Sequence, residues 1–572
     1  MKILIFATDL LPLPGVPTSG TALRTFGIAE GLRAHGHDVV VSVPETAILG
    51  FERANHNRSL DPKLASELQL AKRFAFNSSN QGRIIEQFGN VDAIICGHWP
   101  AMSLRVKPSQ CLIVDLAGPH LLERHYQRSP DQIAAILGKT GIVGTADYCI
   151  VSGPSQLYYF LSFLARAGVR HWDSRILTVT MPLSPKLPER IDQGEPFPRF
   201  IFGGVFLPWQ DPSHGLEQLV ATLREKNAGS LTLIGGKHPH YDVREGRYTQ
   251  LFKRLAENSF VTTKPMLPFE QFVAELADAD VALDLMSWNL ERQLAVTIRS
   301  TTYLWAGLPV IYNNYADLGR LIEQYDAGWT VPPEDSAALR AVLNEIFSTP
   351  ELVAEKAKNA RRLAREVFAW DRAVLPIVEA LNAGAPPRDH EIDIIIDSPD
   401  VADLFISGSE TIEQRFICRM DGFEQLDCRV ATHGRRLQEP VILRLYEDGA
   451  PPLLVAERIV EPERIENNGW LSLPCSRVAN SAGKLFCFEI SAPTTRPENS
   501  LSPWAAKASP YPLQGVIYRG HKRPHLALSI RTVCSPDLEP HFTTPHVFVN
   551  RERERSGLSH AISAESRLIG GG

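Results

Sequence analysis

The sequence predicts an α/β chain with an all-β appendage: two open, doubly wound units in tandem, then a β-sandwich. Three observations carry this. Up to about Leu381, short runs of consecutive apolar residues alternate with helical stretches, the pattern of parallel strands covered on both faces. The series starts afresh near Arg199. After Leu381 the chain carries strand-like runs broken at short intervals by turn residues, as in a sandwich of antiparallel sheets. The expected organisation is residues 1–185, 186–382, a linker at 383–392, a β-sandwich at 393–535 and a mobile tail at 536–572.

In the first unit, Ile3-Leu4-Ile5-Phe6 reads as a strand and is followed by a Gly/Pro/Ser/Thr loop from Leu11 to Gly20. Leu23, Phe26, Ala29 and Leu32 recur every three residues and mark one face of a helix, which Gly36 ends. Strands follow at 39–43, 93–96, 112–114 and 149–151. In the second unit the strands are 200–204, 231–236, 281–283 and 310–312, with an amphipathic helix at 268–277 and a strongly helical stretch at 351–381 that closes the unit. A ligand of such a pair sits at the carboxyl ends of the strands, where the units face each other.

Composition removes several function classes. The 572 residues contain 59 Lys+Arg against 65 Asp+Glu, a formal net charge of −6, with a pI near 6.3. A phosphate-tracking surface makes a whole domain basic, so a nucleic-acid partner is not expected. No apolar run reaches the roughly 18 residues of a membrane span. Thr8 and Asp9 cut the opening apolar stretch short and no small-residue cleavage site follows, so the expectation is a cytoplasmic protein. The eight cysteines form no C-x-x-C pair, so no zinc site and no other metal centre is expected; the five cysteines of the last third could hold a disulfide, but reduced buried thiols suit a cytosolic chain better.

The chemistry-bearing stretch is Glu291 to Ile311. Residues 300–306 read as a short helix with Thr297 or Ser300 as N-cap and Gly307 at its end. Free N–H groups at such a helix start suit a phosphate. Arg299 in the first turn opposes the helix dipole unless an anion sits there; the alternative is that it pairs with Glu291. On the other side, His98 and Asp115 follow strands, where His exchanges a proton near neutral pH and Asp orients or accepts one; a structural histidine is the competing reading of His98. His238 and His240 flank Pro239 in a loop within reach of the same place.

Ala306-Gly-Leu-Pro-Val-Ile311, preceded by a polar helix start, resembles the donor-site segment of GT-B-fold glycosyltransferases, especially the family-4-like ones. Gly20 with Arg24, Gly36-His-Asp-Val39, Asp115-Leu-Ala-Gly-Pro119 and Ala146-Asp-Tyr148 through Gln156 resemble the N-terminal half of that family. Gly203-Gly204, Trp209-Gln-Asp-Pro212 and Gly235-Gly-Lys-His-Pro239 resemble loops of a bacterial surface-polysaccharide branch. The resemblance spans most of residues 1–382 and implies two tandem Rossmann-like domains. It also implies transfer of a sugar from a nucleotide-sugar donor to a glycan or lipid-linked acceptor, with a retaining outcome.

It implies no bound metal and no cofactor beyond the nucleotide-sugar co-substrate. The donor site would then be built from Gly20, Gly203, Gly204, Lys237, Arg292, Arg299, Ser300 and Thr302, and the catalytic groups would be His98, Asp115 and Glu291. Gly20 is equally readable as a turn glycine, and Lys237 as a solvated loop cation. The chain departs from the family at two places: Leu294 and Thr302 stand where the family carries carboxylates, and a single hydroxyl cannot grip two ribose hydroxyls as a carboxylate does. Two rival functions follow, a glycan-binding scaffold that kept the fold and a sugar-nucleotide epimerase.

Arg361, Arg362 and Arg365 offer either a peripheral contact with anionic lipid or a solvated helix face. The apolar and aromatic stripe from Leu363 to Val374 is expected to pack against the first unit. Trp470, Trp504 and Tyr518 of the β-rich module would stack on sugar rings if exposed.

Overall fold

The computed structural model describes the chain apart from residues 56–59, 102–103, 105, 107–109, 130–131, 168, 170–173, 191–196, 239–247, 385–391, 397–398, 508–514 and 535–572. Pro239 and His240, most of the expected linker and the whole expected tail lie outside the described residues.

Six parallel strands form the first sheet: β1 (Lys2–Phe6), β2 (Asp38–Ser42), β3 (Ala93–Gly97), β4 (Cys111–Asp115), β5 (Tyr148–Val151) and β6 (Ile176–Thr178), in the order β2-β1-β3-β4-β5-β6. Their apolar runs are buried because helices cover both faces; Ile3 and Ile5 face one core, Leu4 and Phe6 the other. The first helix, Gly20–Ala34, starts where the Ser19 hydroxyl accepts the Ala22 N–H. It stops at His35 and Gly36, the latter with φ +81°.

The second sheet is also parallel: β7 (Arg199–Val205), β8 (Ser230–Gly236), β9 (Val261–Lys264), β10 (Val281–Asp284), β11 (Val310–Asn313) and β12 (Gly328–Val331), in the order β12-β11-β10-β7-β8-β9. Strand order reverses between β1 and β3 in the first sheet and between β7 and β10 in the second. At such a switch point the loops diverge to opposite faces and leave a crevice.

The helical stretch expected to close the second unit divides between the two. Its Pro350–Leu363 helix and Phe368 pack on the second sheet. A π-helical turn at Ala364–Phe368 and an extended Ala369 then redirect the chain, and Val374, Ile377 and Leu381 join the core around Ile3 and Ile28. Trp370 meets Phe26 edge-on at 6.2 Å. Leu183, on the outward crossing, bridges Ala369 on the return, so the two passages run side by side.

Beyond them, among the described residues, two larger antiparallel sheets and a short two-stranded one (Ala505–Ala506 with Ala527–Leu528) enclose one apolar core. Of the larger two, one contains strands Ile392–Ile395, Phe423–Ala431, Trp470–Val478 and Ile530–Cys534; the other contains Thr411–Ile417, Val441–Glu447, Leu453–Val460 and Leu485–Ser491, extended by Val516–Tyr518 and His521–Arg523. Alternating burial along Thr411–Ile417 is the mark of a half-buried strand. The aromatic residues considered for sugar stacking are engaged here. Trp470 lies near the Arg429 and Arg531 guanidiniums, the Trp504 Nε1 donates to Asn468, and the buried Tyr518 hydroxyl donates to the Phe405 carbonyl. Among the described residues, no helix is long and apolar enough to cross a membrane.

Candidate functional site

The carboxyl ends of the two sheets face each other across a cavity of about 390 Å³, within the range of small-molecule sites. The first unit contributes Ser19, Gly20, Thr21, His120 and Glu123 to its wall; the second contributes Gly203, Gly204, Glu291, Arg292, Arg299 and Thr302. Seven of the eleven predicted site residues, Gly20, Gly203, Gly204, Glu291, Arg292, Arg299 and Thr302, therefore meet around one space.

Two helix N-termini meet there. Gly20 opens the first helix of the chain, and Ile298 opens the Ile298–Trp305 helix of the second unit. A Cβ built on Gly20 would stand 2.8 Å from Ile298 Cδ1, so the two helix starts touch. The second helix takes no side-chain cap: Thr297, at its N-cap, has its hydroxyl bonded to that of Tyr312 instead. Helix starts carry unpaired N–H groups and a partial positive charge, so the arrangement points both fields at the same cavity. Behind the first of them, the Ser19 hydroxyl donates to the buried Asp9 carboxylate, which also accepts the Leu10 N–H at 2.8 Å. His238, in the cavity wall, brings its Nε2 to 3.9 Å from Asp9.

Arg299 stands in the first turn, as the sequence suggested, but its carboxylate partner is Asp284 at the end of β10, not Glu291. Its Nη1 donates to Asp284 at 2.9 Å and its Nη2 to Gln210 at 2.8 Å, while the guanidinium lies 4.8 Å over the Phe202 ring. Burial opposes its charge, but Asp284 together with Tyr248 and Tyr303 outweighs that and holds the group above its ordinary value. Gly204, with φ +150°, makes room: a Cβ there would come within 2.6 Å of Arg299 Nε. Ser300 lies behind the wall, fully buried, with its hydroxyl donating to Asp284. The switch point of the second sheet is thus filled by an Arg299–Asp284–Ser300 cluster.

Glu291 pairs with its neighbour Arg292 through two bonds, 2.7 and 3.1 Å long. Burial pushes the Glu291 carboxyl up against the pull of Arg292. Both arginines of the wall therefore carry a matched carboxylate. The wall offers no surplus arginine charge, and the N–H groups of the two helix starts are among its unpaired donors.

Across the cavity stand two residues the sequence reading passed over. His120 and Glu123 begin the His120–Tyr126 helix, directly after the Asp115-to-Pro119 segment, and His120 Nδ1 lies 3.1 Å from the Glu123 carboxylate. Burial alone would push the Glu123 carboxyl up; His120, Arg292 and Lys139 outweigh it and hold it below its ordinary value. Their place just past a strand end was the available signal.

The remaining candidates are placed differently. Asp115 lies outside the cavity wall, gripped by Arg24 at 2.8 and 3.1 Å and accepting the Ala117 N–H at 3.1 Å, so it shapes the loop that carries His120. Lys237 is exposed and outside the wall, beside His238. His98 starts a short helix after β3, and its side chain lies outside the description. Thr302 reaches the wall, but its hydroxyl donates to the Ile298 carbonyl at 2.8 Å, within its own helix.

No protein-family model matches the chain, and no curated protein matches it. Solved structures do. Sucrose-phosphate synthase from Thermosynechococcus elongatus is similar over 67% of this chain and 98% of its own, at 17% identity and a TM-score of 0.48. HepE from Anabaena, in complex with UDP and glucose, is similar over 67% of this chain and 100% of its own, at 15% identity and a TM-score of 0.46. AviGT4, a glycosyltransferase involved in avilamycin A biosynthesis, is similar over 66% of this chain and 96% of its own, at 14% identity and a TM-score of 0.42.

Proposed function

We propose that the chain transfers a sugar from a nucleotide-sugar donor to a glycan or lipid-linked acceptor, in the assembly of a bacterial surface polysaccharide. The observation that carries this reading is the meeting of two helix N-termini, Gly20 against Ile298, at one interlobe cavity. In such a transfer the barrier lies in negative charge growing on the departing diphosphate as an acceptor hydroxyl attacks the anomeric carbon. Preorganised N–H groups aimed at that charge lower the barrier most where water is excluded. Both helix starts are fixed before the ligand arrives. One is fixed by Ser19 and Asp9, the other by Thr297 and the Asp284 cluster.

Glu291–Arg292 and His120–Glu123 face one another across the space between the lobes. In the proposed reaction they orient the sugar and exchange the acceptor proton, and the helix starts neutralise the diphosphate without a bound metal. A retaining outcome follows the family resemblance. Closure of the lobes would keep water from the donor.

One observation favours the scaffold reading instead: the Thr302 hydroxyl is committed to Ile298, and both wall arginines are committed to carboxylates. Calorimetry with UDP, GDP and TDP, followed by a donor-hydrolysis assay, separates the two. Binding of one nucleotide in the micromolar range with release of its diphosphate supports the transferase. A folded protein that binds none of the three supports the scaffold.

A further inference from the structure

The β-rich module contains a contact between sulfurs that the proposed transfer does not use. Cys418 follows the Thr411–Ile417 strand of one sheet, and Cys534 ends the Ile530–Cys534 strand of the other. Both are fully buried, and their sulfurs lie 3.8 Å apart. Asp393, from a third strand, brings a carboxylate oxygen into the same cluster, all three ligand-type atoms lying within 4.8 Å of one another.

Asp393 decides against a metal ion in this cluster. Its Oδ2 accepts the Arg419 backbone N–H at 2.8 Å and its Oδ1 accepts the Arg419 Nε at 2.9 Å, so both oxygens are committed and a guanidinium stands where a dication would be repelled. Two thiols in contact remain. The Cys418 thiol also donates to the Met420 carbonyl at 3.1 Å; Cys428 and Cys475 turn their sulfurs toward backbone carbonyls, at 3.8 and 3.9 Å, with no second sulfur beside them in those contacts.

We propose that Cys418 and Cys534 are a redox-sensitive pair that a peroxide converts to a disulfide, stapling the two sheets of the module together. The sulfurs need to close from 3.8 Å to the roughly 2.05 Å of a disulfide, a movement within reach of side-chain rotation. The bond would close a loop spanning 116 positions, long enough to restrict the unfolded chain strongly. The hydrogen bond with Cys418, and then burial, hold the Cys534 thiol in its protonated form, so oxidation waits until the end of its strand frays and admits the oxidant.

The Cys534 thiolate then attacks hydrogen peroxide. An S–O bond forms, the O–O bond breaks, and the leaving hydroxide takes up the thiol proton as water. The Cys418 sulfur displaces the remaining oxygen as a second water and the S–S bond forms. In sum, two thiols and one peroxide give one disulfide and two waters, with two electrons passing from sulfur to oxygen.

The test uses the full chain. Reduced protein is exposed to hydrogen peroxide in buffer and in mild urea, unfolded with an alkylating reagent, and its free thiols are counted by intact mass before digestion. The expected result is a fall from eight alkylated cysteines to six. It should be faster in urea, with a peptide cross-link joining the segments that hold Cys418 and Cys534, and it should be absent in Cys418→Ser and Cys534→Ser. Eight alkylated cysteines after oxidation, or a cross-link between any other pair, overturns the proposal. So does stoichiometric uptake of Zn²⁺ by the reduced wild type that is lost in both serine variants. The wild-type count stands without the variants, should either fail to fold.

Discussion

The carboxylate of Asp317, in the second unit, accepts both the backbone N–H and the hydroxyl of Ser155, in the first, at 2.8 Å each. Ser155 lies in the first turn of the Pro154–Arg166 helix, whose own N-cap, Gly153, supplies no side-chain bond. One unit thus caps a helix of the other across the cleft. Asp317→Ala removes both bonds. At about 0.5–2 kcal/mol for a lost N-cap, nucleotide affinity should fall roughly 2- to 30-fold if binding requires the closed form. Calorimetry gives the affinity, and small-angle scattering of the nucleotide-bound protein should show a larger radius of gyration than wild type.

Arg299→Ala would leave the Asp284 carboxylate buried without its cation. Removing one partner of a buried pair costs about 3–5 kcal/mol, so the variant should unfold at distinctly lower urea. Asp284→Asn added to it should recover part of the loss. If Arg299 instead served only to contact a ligand, the single variant would unfold like wild type and the second change would recover nothing.

Gly204→Ala and Gly36→Ala form a matched comparison. Both positions have positive φ, but a Cβ at Gly36 meets nothing within 4 Å, whereas at Gly204 it would lie 2.6 Å from Arg299 Nε. Gly36→Ala should cost about 1 kcal/mol of backbone strain. Gly204→Ala should cost more and also weaken nucleotide binding, because the guanidinium must leave its place. Urea unfolding and calorimetry on the two variants read this directly.

Lys139 predicts an unusual pH dependence. Its ammonium is buried over the Phe160 ring at 5.3 Å, and burial pushes its pKa down to about 7, against Cys149, Glu123 and Asp115. An unfolded lysine titrates near its ordinary value of 10.5. Between those values the unfolded chain binds the extra proton, so stability rises with pH, by up to about 1.4 kcal/mol per unit. Below about 7 both states are charged and the full penalty of the buried ammonium applies. Lys139→Met should therefore raise the melting temperature at pH 6 and lose that advantage by about pH 10. An equal shift at both pH values would place the pKa of Lys139 at its ordinary value.

Much of the fold was legible in short stretches of sequence, because the forces that form these elements are local. The helix expected from the spacing of Leu23, Phe26, Ala29 and Leu32, and from Gly36 after them, runs from Gly20 to Ala34. The helix expected at 300–306 begins two residues earlier, at Ile298, with Thr297 as its N-cap and Gly307 just past its end. The glycines and arginines of the cavity wall were visible for the same reason: a strand end, a helix start and a turn each demand particular residue types.

What those stretches left open was partnership. The pairing of Arg299 with Asp284 joins residues 15 positions apart in sequence, on a helix and on a neighbouring strand. The contact of Gly20 with Ile298 joins two helices of different units. His120 and Glu123 matter because strand β4 delivers them to the same crevice as Glu291 and Arg292, while Asp115, the stronger candidate on paper, is held by Arg24. Periodicity and caps act over a few residues and can be read from them. Which charge meets which, and which helix start faces another, depends on strand order and on how two sheets pack. Those arise from contacts between segments far apart along the chain.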